Sequence, residues 1–493
     1  MLSPLSILRD SSKLTLAGVV GTALNFPASI IIANKLGPDL LGRASFVLLW
    51  VTYSGLVHIG IFEGAQREIV HNLGHGSDER ARHYQNISLS GELLWALIPA
   101  GLLLAASFWF PDPVRRFGFV LAPLTYLGAA LNRMLAGIHF AHRRFGLYSR
   151  LNLLRTTAQP VLLVVLAMFF GVYSLFIAPA LVEWGMSVLY MVRAPSLEFA
   201  WTFHRKDIAS LVRQGFPLAV QGLVFWAYRL IGVTSVALLL PAQQLGYYAF
   251  NARLIDLAIR PFSDFGAILM PTLWTELARA RNVRTLEQDV SRLILLTTAV
   301  TCGVVNVLQF ACPPAIELLL PRFVPGIRIF QVLCFNIVFL TMVAVPSLVL
   351  DSIVANRQWL HVSTWTVALI VNAAANIFVI QKGWGLIAVA WNDIWIQLVV
   401  AIVIYKTAER YIFESRTTAR RFYIFELGLL LGCGAMFIAL QWTPGSISPR
   451  AVADFITAFL VKISIVTIVW SSICFAMYRL PSLPFKKAAE PSL

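Results

Sequence analysis

Charged residues are scarce in this chain. They make up 13% of its 493 residues, about half the share found in an ordinary soluble domain. Carboxylates are the scarcer sign, with 24 Asp and Glu against 39 Lys and Arg. Cysteine is sparse as well. Cys302, Cys312, Cys334, Cys433 and Cys474 lie apart in apolar stretches without a C-x-x-C pair, so they read as small buried hydrophobes rather than a zinc or disulfide framework. The net charge of +15 comes without zinc-finger spacing, an OB-like strand pattern or a basic tail, and so does not point to nucleic acid. No small-x-small cleavage signal follows the first apolar run, Leu14 to Ala33, which leads straight into another and reads as a first membrane span. Long polar loops are missing, so no independent soluble domain is expected.

What the chain has in abundance is apolar length. Its hydrophobic share is 58%, with 33 Phe and 14 Trp. Runs long enough for the roughly 20 residues that cross the hydrocarbon recur from end to end. Fourteen spans are expected, at 13–34, 42–66, 86–109, 117–140, 147–170, 173–192, 210–238, 242–270, 289–311, 328–352, 359–380, 385–405, 421–441 and 453–477. With both termini in the cytoplasm, the inner segments carry 25 Lys and Arg and the outer loops 8. That asymmetry supports the map and a multi-pass plasma-membrane location.

The few ionisable residues inside spans carry the functional signal, since charge at membrane depth is costly and normally faces a bundle interior or a watery cavity. Span 242–270 holds Arg253, Asp256, Arg260 and Asp264, which share one sector at helical periodicity. Two readings stay open: the acids neutralise the arginines and fix packing, or the stripe walls a cavity for an anion. Arg229, mid-span in the preceding segment, favours the cavity. Arg133 and Arg155 add cations in the fourth and fifth spans. A guanidinium fork matches phosphate oxygens and keeps its proton, so Arg133, Arg155, Arg229, Arg253 and Arg260 are the candidate substrate-binding residues. Glu92, Glu183, Asp256 and Asp393 are the candidates for proton or sodium coupling. A carboxylate beside arginine is held charged and carries protons poorly unless the arginine moves. Arg67, four residues after Glu63, reads as an interfacial anchor. Asn372, Asn376, Asn392 and Gln397 form polar faces that read as helix–helix glue. No catalytic set, metal site or cofactor motif is found. A faint repeat aligns Leu41-Gly42 and Phe46 with Leu245-Gly246 and Phe250, 204 residues on.

The opening span followed by LGPDLLGRASFVLLW (36–50), then HIGIFEGAQREI (58–69), LGYYAFNARL (245–254) and PFSDFGAILMPTL (261–273), resembles the Wzx-like O-antigen and polysaccharide flippases of the multidrug/oligosaccharidyl-lipid/polysaccharide exporter superfamily. The likeness runs through the whole chain in length and span order. It implies an all-α polytopic protein with fourteen transmembrane helices, in which two six-helix lobes flank a central cavity and two C-terminal helices are appended. The lobes would be 1–192 and 210–406, joined by a cytoplasmic linker at 193–209 and followed by 407–493. It further implies translocation of a polyprenyl-diphosphate-linked oligosaccharide to the outer leaflet by alternating access, with the diphosphate held by the cavity arginines. Partners implied are membrane lipids, a polysaccharide polymerase and sugar transferases. The surplus of arginine over acid in the fourth, fifth and seventh spans favours an anionic glycolipid over a cationic drug. A multidrug or metabolite exporter of the same fold stays open as an alternative. A membrane glycosyltransferase or polymerase is a further alternative, and the lack of a substantial outer loop argues against it.

Overall fold

The computed structural model describes residues 4–142, 144–193, 200–280, 287–352, 355, 357–441, 464, 466 and 468–473, without side-chain detail for 4–17, 19, 74, 145, 264–280, 288, 289, 437, 439 and 440. Every described element is helical. In chain order they are α1 (Pro4–Leu56), α2 (Ile61–Gly74), α3 (Asp78–Ala106), α4 (Pro113–Ala141), α5 (Phe145–Phe170), α6 (Ser174–Val192) and α7 (Arg205–Leu239), followed by α8 (Ala242–Ala280), α9 (Glu287–Leu319), α10 (Ile327–Leu333), α11 (Phe335–Asp351), α12 (Gln358–Gln381), α13 (Gly385–Ile412) and α14 (Arg416–Gln441). The first thirteen expected spans each fall on one or two of these helices. The fourteenth, 453–477, lies largely outside the described residues. Eight helical stretches among the described residues are long and apolar enough to cross a membrane, or nine if the bent pair formed by α1 and α2 counts as one span.

Three expected boundaries differ. The first two spans join in α1 across a kink at Gly37, whose φ of 72° only glycine adopts freely, followed by Pro38, which has no N–H to offer the preceding turn. The second span is broken between Leu56 and Ile61, with Gly60 left-handed at φ 84°, and α1 and α2 diverge there by 44°. The ninth span does not end at 311, because α9 continues through Pro313 and Pro314 to Leu319.

The chain divides into two compact units, one up to Asp264 and the other from Phe265 on. In the first, α1 packs on α4 and α5, α4 on α3 and α6, and α2 on α3 and α7. Packing therefore groups α7 and the first part of α8 with the six preceding spans. One apolar cluster in it is formed by Ile61, Ile69, Met134, Leu135, Ile138, Met186 and Tyr190. In the second unit α11 lies against α9 and α13, α12 against α13, and α14 against α9. Large apolar side chains cover much of the outer surface. Val367, Ile370, Val371 and Phe378 make an exposed face along α12, an arrangement suited to lipid and costly in water.

Two backbone crossings in the first unit require glycine. A Cβ on Gly42 would lie 1.7 Å from the Ala242 carbonyl oxygen, and one on Gly246 would lie 1.8 Å from that of Pro38. The two positions aligned by the faint repeat thus pack against each other. At the other end of the same region a Cβ on Gly215 would lie 1.8 Å from the Gly60 carbonyl oxygen, and one on Gly64 would lie 2.2 Å from that of Leu211.

Candidate functional site

Three arginine–carboxylate pairs are built into the first unit, each from two different helices. On α6, Glu183 accepts from Arg155 of α5 through Nε at 3.0 Å and through Nη2, and from Asn132 Nδ2 of α4 at 2.7 Å. Its side chain is 7% exposed while that of Arg155 is 40% exposed. The acid is therefore sealed inside, and the guanidinium keeps an open side. Burial of such a charge is tolerable only because these donors saturate it.

The second pair sits at the helix break. Glu92 of α3, 1% exposed, accepts from Arg133 Nη2 of α4 at 2.9 Å. The same guanidinium donates through Nη1 to the Gly55 carbonyl oxygen at 2.9 Å, and Trp95 Nε1 of α3 donates to the Val57 carbonyl oxygen at 2.9 Å. A broken helix frees carbonyls that lipid cannot satisfy, so side chains from neighbouring helices must supply donors. Arg133 and Trp95 do this. Close by, Glu92 Oε2, Arg133 Nε and the Tyr126 hydroxyl are buried without a hydrogen-bond partner.

The third pair joins Arg229 Nη2 of α7 to Asp256 Oδ1 of α8. Arg229 also lies over the Trp226 ring, 4.8 Å from its centroid. Here the exposure is reversed, with 12% for the Arg229 side chain and 55% for that of Asp256. Arg253 and Arg260, each half-buried on α8, form no ion pair with a described carboxylate. The side chain of Asp264 lies outside the described residues. Arg67 is exposed, midway along α2.

The structure thus joins residues that the sequence lists under separate roles. Three of the four acids considered for ion coupling, Glu92, Glu183 and Asp256, are the counter-charges of Arg133, Arg155 and Arg229. The fourth, Asp393 of α13, accepts from Asn372 Nδ2 of α12 at 2.7 Å, and Asn392 donates to Asn376 Oδ1 at 3.3 Å. Those amide bonds tie α12 to α13. Sequence reasoning missed the Glu68–Gln214 bond between α2 and α7, 2.7 Å long, and the outer pair of Arg43 with Asp112, 2.6 Å apart. It also missed Glu426, a buried acid on α14. A lone carboxylate in the apolar run FELGLLLGCGAMF was the available signal.

Residues 122–323 match the model of a polysaccharide biosynthesis protein family. That segment contains all five candidate arginines. No curated protein matches the chain in sequence. Among solved structures, the lipid II flippase MurJ in an inward closed conformation aligns with a TM-score of 0.69 at 14% identity, covering 94% of this chain and 98% of that one. A multidrug resistance MATE family transporter of the MOP superfamily, inward-facing, aligns at 0.66 and 15% identity over 83% and 99% of the two chains. An outward-facing MATE transporter aligns at 0.57 and 17% identity over 85% and 99%. This multi-pass membrane protein thus has the fold shared by the MATE transporters and the flippase MurJ, and over residues 122–323 it is similar to the polysaccharide biosynthesis protein family.

Proposed function

We propose that the protein is a flippase that moves a polyprenyl-diphosphate-linked oligosaccharide from the cytoplasmic to the outer leaflet of a bacterial inner membrane for surface polysaccharide assembly. It makes and breaks no covalent bond. One observation carries the reading: Arg253 and Arg260, one face of α8 and two turns apart, are cations in a membrane helix that form no ion pair with a described carboxylate, since Asp256, whose charge reaches Arg253, is paired with Arg229. Positive charge in excess of its counter-charge is expensive at that depth, and binding of an anionic group offsets it. Arg229, Arg155 and Arg133 serve the same ligand more weakly, since each shares its charge with an acid. Sugars would occupy the hydrated face of the site while the polyprenyl tail stays in lipid, because hydroxyls and charge are costly in hydrocarbon and the tail is not. The family match and the likeness to MurJ support a lipid-linked substrate. Coupling to protons or sodium belongs to this proposal, as do cytoplasmic termini and work alongside sugar transferases and a polymerase. O-antigen and exopolysaccharide units are the substrate class considered.

A drug or metabolite exporter is the second reading, favoured by the MATE likeness and opposed by the cationic surplus on α8. The test is the sidedness of the lipid-linked oligosaccharide in cells lacking the protein, complemented by the native chain or by Arg253→Ala and Arg260→Ala. The expected result is inner-leaflet accumulation relieved by the native chain and at least tenfold less by either variant. Rescue by both variants removes the arginines from the site. Normal sidedness without the protein, where no second flippase operates, favours export of another substrate.

A further inference from the structure

We infer that Glu426 is a proton-binding site, a carboxylic acid that in its protonated form secures the proline break of α11. The inference begins with Pro346, inside α11. Proline has no N–H, so the carbonyl of Met342, four residues earlier, loses its helical donor. That carbonyl is buried and receives instead the hydroxyl of Tyr405 from α13, at 3.1 Å. The same hydroxyl oxygen lies 2.6 Å from Glu426 Oε1. A phenol has one hydrogen, and a carbonyl can only accept. With the Tyr405 hydrogen on Met342, the close contact to Glu426 needs a hydrogen from the carboxyl group. The chain of donation runs from Glu426 to Tyr405 to the orphaned carbonyl, and its 2.6 Å link has the length of a strong O–H···O bond.

The surroundings agree. Glu426 is 2% exposed and forms no ion pair with any described Lys, Arg or His, so ionisation would leave a buried charge without an ion-pair partner. From α9 the group facing it is the hydroxyl of Thr298, 3.4 Å from Oε1; one turn on, Thr301 accepts from Thr341 of α11 at 3.1 Å. From α13 the facing titratable group is Tyr405. Lys406, the next residue on that helix, pairs with Glu409 one turn on at 2.9 Å. On α14 itself the neighbour is Tyr423, whose hydroxyl donates toward Glu409 at 3.2 Å. Glu426 thus differs from Glu92, Glu183 and Asp256, each of which holds an arginine. Loss of its proton would turn Tyr405 toward the carboxylate, release the Met342 carbonyl and loosen α11 at Pro346.

The test uses the purified full chain in lipid nanodiscs, by infrared spectroscopy with hydrogen–deuterium exchange and by thermal unfolding. The expected result is a protonated-carboxyl band at neutral pH that Glu426→Gln removes. Glu426→Gln keeps the native melting temperature, because the amide still donates to Tyr405, and Tyr405→Phe lowers it. The absence of any protonated-carboxyl band from the native chain at neutral pH overturns the inference without recourse to a variant. So does an unchanged band in Glu426→Gln, or failure of Glu426→Gln to fold while Tyr405→Phe folds normally.

Discussion

The two units bury carboxylates in opposite ways. In the first, Glu183 is sealed by a guanidinium and an amide, and Glu92 by a guanidinium that also caps a broken helix. In the second, Glu426 meets only hydroxyls. An ion pair favours the charged form of its acid, whereas burial without a counter-charge favours the neutral one. The first arrangement suits a unit that presents fixed positive charge to an anion. The second suits a group that gains and loses a proton. The difference also separates two ways a membrane helix tolerates a break: Arg133 and Trp95 serve the carbonyls freed at 55–57, and Tyr405 serves the one freed by Pro346.

Breaking the contrast should cost most where charge is sealed. Arg155→Ala leaves Glu183 buried beside Asn132 alone. Its expected destabilisation is about 2–3 kcal/mol, on the low side for a buried pair because the arginine is partly exposed. Adding Glu183→Gln should recover most of that loss in a double-mutant cycle of unfolding in detergent. Recovery of none of it would mean that the pair is not coupled.

A smaller effect is expected at the helix break. Trp95→Phe removes the donor to the Val57 carbonyl and should cost about 1–2 kcal/mol, with faster amide exchange confined to the residues around the break. Unchanged exchange there would show that the break is held by other contacts.

The smallest effect concerns a group outside the spans. His142, at the end of α4, accepts through Nε2 from Nε2 of Gln85, which is buried. Burial, and then the nearby charge of Arg144, hold its imidazole below the ordinary histidine range, against a weaker opposing pull from Asp78. The unfolded chain therefore binds this proton more readily than the folded one, and stability rises with pH. Its contribution is fully present above the usual imidazole value of about 6.5 and is lost as pH falls below it. His142→Gln should flatten this part of a melting-temperature profile. An unaltered slope would remove His142 as its source.

Much of the fold is legible because spans are written in one-dimensional apolar runs, and the first thirteen fall where the runs are. The break in the second span is not legible in the same way. HIGIFEG is apolar enough to continue a helix, and only donors 38 and 78 residues away make the freed carbonyls tolerable. The arginines and acids of the candidate site were each visible as costly residues. Their pairing was not, because Arg155 and Glu183 are 28 residues apart and Arg229 and Asp256 are 27, on helices whose facing sides are set by packing. Glu426 escaped notice for a related reason: a single acid in an apolar run gives no spacing to read, and Tyr405 and Met342 become its neighbours only when α11, α13 and α14 meet.

The sequence by itself determined that the chain is a helical membrane protein with its charge concentrated in a few spans, because transfer of long apolar segments into lipid outweighs any local preference. The tertiary structure decided which of those charges stay free. Coulomb attraction and hydrogen bonding act over a few ångströms, so an arginine is neutralised or left open according to which helix lies against it. That choice pairs Arg133, Arg155 and Arg229 and leaves Arg253 and Arg260 without an ion pair to a described carboxylate.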